Sequence, residues 1–307
     1  MGRILLWRKY CSVICFKKLG DLSPNFLFVS NNWFLFMKFS FVFLFLGFFL
    51  TLRSAAQVAN MAVYYEVEFV TDSLNPSEKG NDLMVLWLGE NYSVFQSYFA
   101  FQRDSIIKVS SSGAPTQGNI ASVMGRVNAV RSPSFKYSIH KNFKENQITV
   151  FESLFFDNYK YDQPLGPLPW EIQAETKTIL GYKAQKAVLT YSGRNYTAWF
   201  SEEIPLNDGP YVFNGLPGLI LEIHDSQVHY SFIIKGIEKR NQSMEDLTLK
   251  NPIALSKSAY YKAKLEMYRD VTKALIGKPQ ANVSSQNIQQ VQARYDKANN
   301  PLEKKVN

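Results

Sequence analysis

The sequence predicts a mainly β fold: a curved antiparallel sheet, arranged as an open half-barrel or a sandwich, with a C-terminal helix packed on it. Three observations carry this reading. Apolar and polar residues alternate in short runs through most of the chain, the pattern of strands with one buried face. Turn chemistry built on Gly, Asn and Asp separates those runs at short spacing, which favours antiparallel neighbours over crossover helices. Only one stretch, 254 to 276, spaces its apolar residues three and four apart as a helix requires.

From Met61 to Val70, Val63, Tyr65, Val67 and Phe69 alternate with Tyr64, Glu66 and Glu68, which predicts a half-buried strand. Asp72 to Asp82 is a turn region, and Leu83 to Leu88 forms a hairpin with Tyr92 to Phe95 across Gly89-Glu90-Asn91. Ser110 to Asn128 is rich in Ser, Gly, Pro, Thr and Asn and is expected to be a long loop or lid. Phe135 to His140 and Ile148 to Glu152 alternate again and predict a second antiparallel pair. The prolines of 161 to 169 remove ladder donors, so that stretch is excluded from the middle of a sheet. Strands near 170–174, 184–191, 195–201, 219–224 and 228–236 complete a meander.

Ser256 is the expected cap of the helix, with Tyr261, Leu265, Tyr268, Val271, Thr272 and Leu275 on its apolar face and Lys264, Glu266, Arg269 and Lys273 opposite. Gly277-Lys278-Pro279 ends it. The polar residues 280–307 are expected to form a disordered or weakly helical tail beyond a single β-rich domain at 57–279.

The N-terminus has its own logic. Met37-Lys38, the apolar run Phe39 to Leu52, and small Ser54 and Ala56 before Gln57 are expected to form a secretory signal peptide at 37–56 in preference to a membrane anchor, for which the uninterrupted apolar run is too short. Residues 1–36 precede a good signal start and are expected to be a non-native upstream extension. Residues 1–56 carry seven of the Lys and Arg against one Asp, so the remaining chain keeps only +2 of the overall +8. The basic balance therefore gives no case for nucleic acid. Cys11 and Cys15 would leave with the same segment, and a cysteine-free product would suit an oxidising compartment.

Gly215-Leu216-Pro217-Gly218-Leu219-Ile220 leads into the apolar strand Leu221-Glu222-Ile223. Pro217 and Gly218 match the central positions of a type II turn, with Gly218 supplying a positive φ. Leu219, Leu221 and Ile223 share one face, and apolar Ile220 opposite means that the strand's start is covered on both sides. Together with 181–187, 193–200, Glu203-Ile204-Pro205 and 209–213, this string resembles the GLPGLI family of bacterial envelope proteins. The resemblance extends loosely from Met61 to Leu275 and implies a Gram-negative cell envelope, but no established activity. The strand-rich pattern is also similar in style to the lipoprotein-carrier fold, a curved sheet closed over by helices.

Glu222, His224, Asp225 and His229 lie around one strand turn, the only grouping that suggests a metal site or a hydrolytic centre. Without a further imidazole or a thiol nearby, the sequence predicts hairpin residues and no metal. No nucleophile elbow is present, and no cofactor is expected. Arg194, Tyr196, Trp199 and Trp170 support two readings: an aromatic floor for an apolar ligand with Arg194 at its mouth, or ordinary core with Arg194 holding carbonyls. The function expected is that of an exported, non-catalytic protein of the periplasm or outer membrane. It binds a lipid, lipopeptide or other apolar ligand, or an outer-membrane protein partner; a periplasmic hydrolase is the alternative.

Overall fold

The computed structural model describes residues 57–110, 117–244, 247, 251–275 and 284–305. The predicted signal peptide and the extension before it lie outside the described residues. Twelve strands form one open sheet that does not close into a barrel, in the order β12-β6-β5-β4-β3-β2-β1-β11-β10-β9-β8-β7. Two meanders meet in its middle. The first is β1 (Val58–Val70), β2 (Lys79–Leu88), β3 (Tyr92–Ser97), β4 (Tyr137–Asn142), β5 (Gln147–Leu154) and β6 (Asp157–Pro164). The second is β7 (Glu171–Ile179), β8 (Tyr182–Tyr191), β9 (Arg194–Ser201), β10 (Leu219–Asp225) and β11 (Tyr230–Ser243), and β11 pairs antiparallel with β1. The sheet is mixed rather than purely antiparallel, because the two-residue β12 (Ile253–Ala254) joins β6 in parallel.

Local chemistry explains most of this order. Leu180 and Gly181, like Ser192 and Gly193, all have positive φ, which makes two-residue turns whose twist matches the flanking strands. The proline-rich stretch behaves as expected: Tyr161 to Pro164 belong to β6 but pair only with β5.

The core explains the curvature. β4 and β8 stand seven places apart in the sheet, yet Lys141 of β4 and Tyr191 of β8 both reach the connection 202–218. Its Tyr211, Val212, Phe213 and Leu216 are buried, and the Phe213 ring meets Tyr191, Tyr196 and Phe232. The sheet thus wraps around this segment. Lys141 pins it from the opposite wall: its Nζ donates to Asp208 Oδ1 at 2.5 Å, to Gly209 O at 2.7 Å and to Phe213 O at 3.1 Å. All three ammonium donors are used, which makes full burial of the charge tolerable. Burial still pulls the Lys141 pKa down, with Asp208 opposing.

The motif strand enters the core as predicted, with Leu219, Ile220, Leu221 and Ile223 all inaccessible to solvent. The turn reading needs correction. The positive φ belongs to Gly215, not to Gly218. A Cβ on Gly218 would stand 2.1 Å from Ser201 O and 2.4 Å from Ser201 C. Glycine is required there because two backbones touch, not because a turn demands left-handed geometry.

Two other expectations change. Within the stretch read as a loop, Gln117–Ala129 form a helix, α2, and the segment just before that stretch, to which the sequence assigned no element, forms another, α1 (Tyr98–Ser110). Arg103 Nη1 donates to Val127 O and Val130 O, satisfying carbonyls at the C-terminal end of α2. Of the tail expected to be disordered or weakly helical, the described residues 284–305 are built into the fold: Ser285–Asp296 form the helix α4, and 297–305 run back along the sheet as a strap that buries Asn300, Leu302 and Glu303. In the helix before it, α3 (Lys257–Arg269), Ser256 caps Ala259 N–H as expected, and a 3₁₀ turn, Val271–Leu275, follows. Its buried face differs from the stripe predicted. Tyr260 and Lys264 point inward, while Leu265 is 55% exposed.

Candidate ligand-binding cleft

A cleft of about 630 Å³ opens where β4 and β5 meet α3, α4 and the strap. Phe69, Phe135, Tyr137, Tyr230, Tyr268 and Tyr295 contribute rings to its wall. Several of these pack edge-on or tilted against one another, as between Phe69 and Phe135 at 5.6 Å and between Tyr268 and Tyr295 at 4.5 Å. Such contacts fix a lining of rigid, broad surfaces.

A buried polar centre lies at its side. Tyr137 of β4 and Glu152 of β5 are cross-strand partners. Tyr260 and Lys264, one helical turn apart, descend on them from α3. Lys264 Nζ donates to Glu152 Oε1 and Oε2 at 2.8 and 2.9 Å and to the Tyr137 hydroxyl at 3.0 Å. The Tyr260 hydroxyl donates to Glu152 Oε2. Burial works against the Lys264 charge, but the Glu152 carboxylate and the rings around it outweigh that cost and hold its pKa well above the ordinary value. Burial likewise drives the Tyr137 and Tyr260 hydroxyls upward, and that of Tyr268 to about 12. At neutral pH the group is an ion pair ringed by protonated phenols. Arg294, exposed on α4, adds a cation at the rim.

The strap forms the remaining wall through Ala298, Asn300, Pro301 and Leu302. Arg194 holds it. Its Nε donates to Leu302 O at 3.0 Å, and its Nη2 donates to Asn300 Oδ1 and Pro301 O, each at 2.6 Å. Its Nη1 pairs with Asp225 Oδ2 at 3.0 Å. From the other side Tyr230 Oη donates to Asn300 O at 2.6 Å, and Asn300 Nδ2 donates to Val70 O at 2.6 Å.

The residues singled out in the sequence are thereby placed. Arg194 holds carbonyls from within the core, so the second of its two readings describes the geometry. Tyr196 is buried on the same side of β9, its hydroxyl 3.5 Å from Leu302 O. Trp199 lies on the opposite face under the Lys177 ammonium, 4.4 Å from the ring centroid. Trp170 donates its indole N–H to Asn214 O at 2.8 Å and packs near Phe213. The four side chains do not form one floor. Glu222 pairs with Lys177 at 2.6 Å on the outer face of β10, whereas Asp225 faces Arg194 on the inner one. His229 meets Asn300, and His224 Nδ1 approaches the neighbouring Asp225 carbonyl. None of these four lines the cleft.

Sequence reasoning missed Tyr137, Glu152, Tyr260 and Lys264. The alternation in β4 and β5 located the first two, but a lysine on a helix otherwise rich in lysine carries no local sign that it is buried.

A family model described as "Protein of unknown function (Porph_ging)" matches residues 191–222, from the end of β8 into β10. No curated protein matches the chain. Among solved structures, PNGF-II in its P21 space group is similar with a TM-score of 0.46 and 14% identity over 67% of this chain and 33% of that one. The same protein in its C2 space group gives 0.44 and 15% over 67% and 32%. The chain spans about a third of the length of these structures, and no function passes from them at that level of likeness.

Proposed function

We propose that this chain is an exported envelope protein of the GLPGLI type that holds an apolar ligand with a polar or anionic head, of the lipid or lipopeptide class, and performs no chemistry on it. The cleft carries the reading. Its size lies within the range of small-molecule sites, and its lining combines six aromatic rings with polar and charged side chains, the cations Lys136, Lys264 and Arg294 among them, that could orient an anionic head. Glu152 and Lys264 satisfy each other and the phenols beside them, which suits a wall that orients a ligand more than a free acid or base. The apolar run before Ser54 and Ala56 supports export.

The test combines native mass spectrometry of the protein isolated from its exporting cells with titration by cis-parinaric acid, an anionic fluorescent acyl probe. We expect a bound apolar species and saturable uptake of the probe. Ala298→Trp, which places a large ring in the cleft, should weaken uptake at least tenfold without lowering the thermal midpoint. Absence of any saturable uptake, or full uptake by the Trp variant, overturns the proposal.

A further inference from the structure

The hairpin of α1 and α2 is apolar on a side that nothing in the described fold covers. Its root is well seated: Phe101 packs 5.0 Å from Trp87, and Tyr98 lies 5.4 Å from Tyr64 on the back of the sheet. Farther out the seating ends. Along α2, Ile120, Val123, Met124 and Val127 follow one another at spacings of three, one and three, a single apolar stripe. Val127 at its base is buried, Val123 is half-buried, and Ile120 and Met124 are 53% and 48% exposed. On α1, Ile107 and Val109 are 45% and 70% exposed, and α1 buries none of its residues fully. The six residues joining the helices, Ser-Ser-Gly-Ala-Pro-Thr, bring no large apolar side chain that could cover the stripe.

Charge indicates what covers it. From Tyr98 to Arg131 the chain carries Arg103, Lys108, Arg126 and Arg131 against Asp104 alone, a net of +3; Arg103 and Arg131 hold carbonyls at the root of the hairpin, and Lys108 and Arg126 are exposed along it. An apolar stripe flanked by cations is the composition of helices that lie in the headgroup layer of an anionic lipid surface. A second copy of the same hairpin would instead bring like charges together.

We propose that the α1–α2 hairpin docks this protein on an anionic lipid surface, with Ile107, Ile120 and Met124 entering the interface and the exposed Arg126 beside them facing phosphate. This surface is separate from the cleft and does not depend on what the cleft holds.

Peptide-resolved hydrogen exchange of the full chain, with vesicles of phosphatidylglycerol and with vesicles of phosphatidylcholine, tests it. Peptides from α1 and α2 should exchange several-fold more slowly on phosphatidylglycerol only, and an Ile120→Glu, Met124→Glu variant should lose that protection. Both side chains are exposed, so the variant should retain its thermal midpoint. If it melts early, Arg126→Glu, at another exposed position on α2, serves instead and should also lose the protection. Equal protection on both lipids, none on either, or protection that grows with protein concentration without vesicles overturns the proposal, the last result by showing that a second copy covers the stripe.

Discussion

Arg194 and Asp225 form an ion pair of 3.0 Å inside the core, and the remaining donors of the same guanidinium hold Asn300, Pro301 and Leu302. One side chain thus fastens the end of the chain to β9 and β10. The planar fork is needed because its donors diverge to four acceptors at once. Arg194→Lys keeps the charge and loses that reach. Expected is a fall in stability of roughly 2–4 kcal/mol, from a buried network left part-satisfied. Amide exchange at 298–303 should rise while β1 stays protected. Exchange measured peptide by peptide decides: an unchanged strap would mean that Tyr230, through Asn300, and Glu303, which pairs with Lys257 and accepts from the Tyr211 hydroxyl, suffice to hold it.

Gly218 makes a second forecast. The Ser201 carbonyl occupies the space its Cβ would take, so Gly218→Ala, whose Cβ would stand 2.1 Å from Ser201 O, has to separate β10 from the end of β9. Overpacking against backbone costs about 1–3 kcal/mol or more. Gly215→Ala has its nearest atom at 3.9 Å and is strained only by its φ of +90°, which costs about 1 kcal/mol. Pro217→Ala should cost less than either. Thermal melts of the three variants give the order, and a more damaging change at 215 than at 218 would refute the close-approach account.

His140 sets a pH dependence. Its ring is buried against Phe151, with Nδ1 bonded to the Tyr92 hydroxyl at 2.7 Å and Nε2 to the Ser138 hydroxyl at 3.1 Å. Burial lowers its pKa from 6.5 to about 4. The unfolded chain therefore binds a proton that the folded chain refuses between those values. The stability this represents is complete above pH 6.5 and is lost as pH falls toward 4, on the order of 3 kcal/mol in all. His140→Phe should lower the midpoint at neutral pH, because Tyr92 and Ser138 lose their partner, but flatten its decline between pH 7 and 4. A variant as acid-sensitive as the parent would show that other groups govern the decline.

Much of the sheet was legible because its signals are local. The alternation Val63, Tyr65, Val67, Phe69 and the two-residue turns at Gly181 and Gly193 need no distant partner to be recognised. What was not legible depends on contacts far along the chain. Gly118, Ser122, Gly125 and Asn128 argue against a helix, yet α2 forms where Arg103 takes up carbonyls at its C-terminal end and Val127 is buried. The segment 297–305 has few apolar residues, and its order comes from Arg194 more than a hundred positions earlier. The cleft shares this origin: Glu152 and Lys264 stand 112 positions apart, and neither looks unusual where it stands.

The central seam of the sheet has a consequence for how the molecule is made. β1 to β6 can zip in the order in which they emerge, and β7 to β11 likewise, each strand closing on the one before it. β1 and β11 instead pair Val63 with Ile237 and Val67 with Phe232, so the inner edge of β1 waits unpaired until nearly all the chain exists. Joining two finished half-sheets across that seam carries the largest loop-closure cost in the fold and is the slow step expected of its topology. Until then β1 offers a long, apolar, hydrogen-bonding edge to any other strand that reaches it first. The period of greatest hazard for this protein is therefore the interval between the appearance of Val58 and that of Ser243, and its survival depends on keeping that edge covered meanwhile.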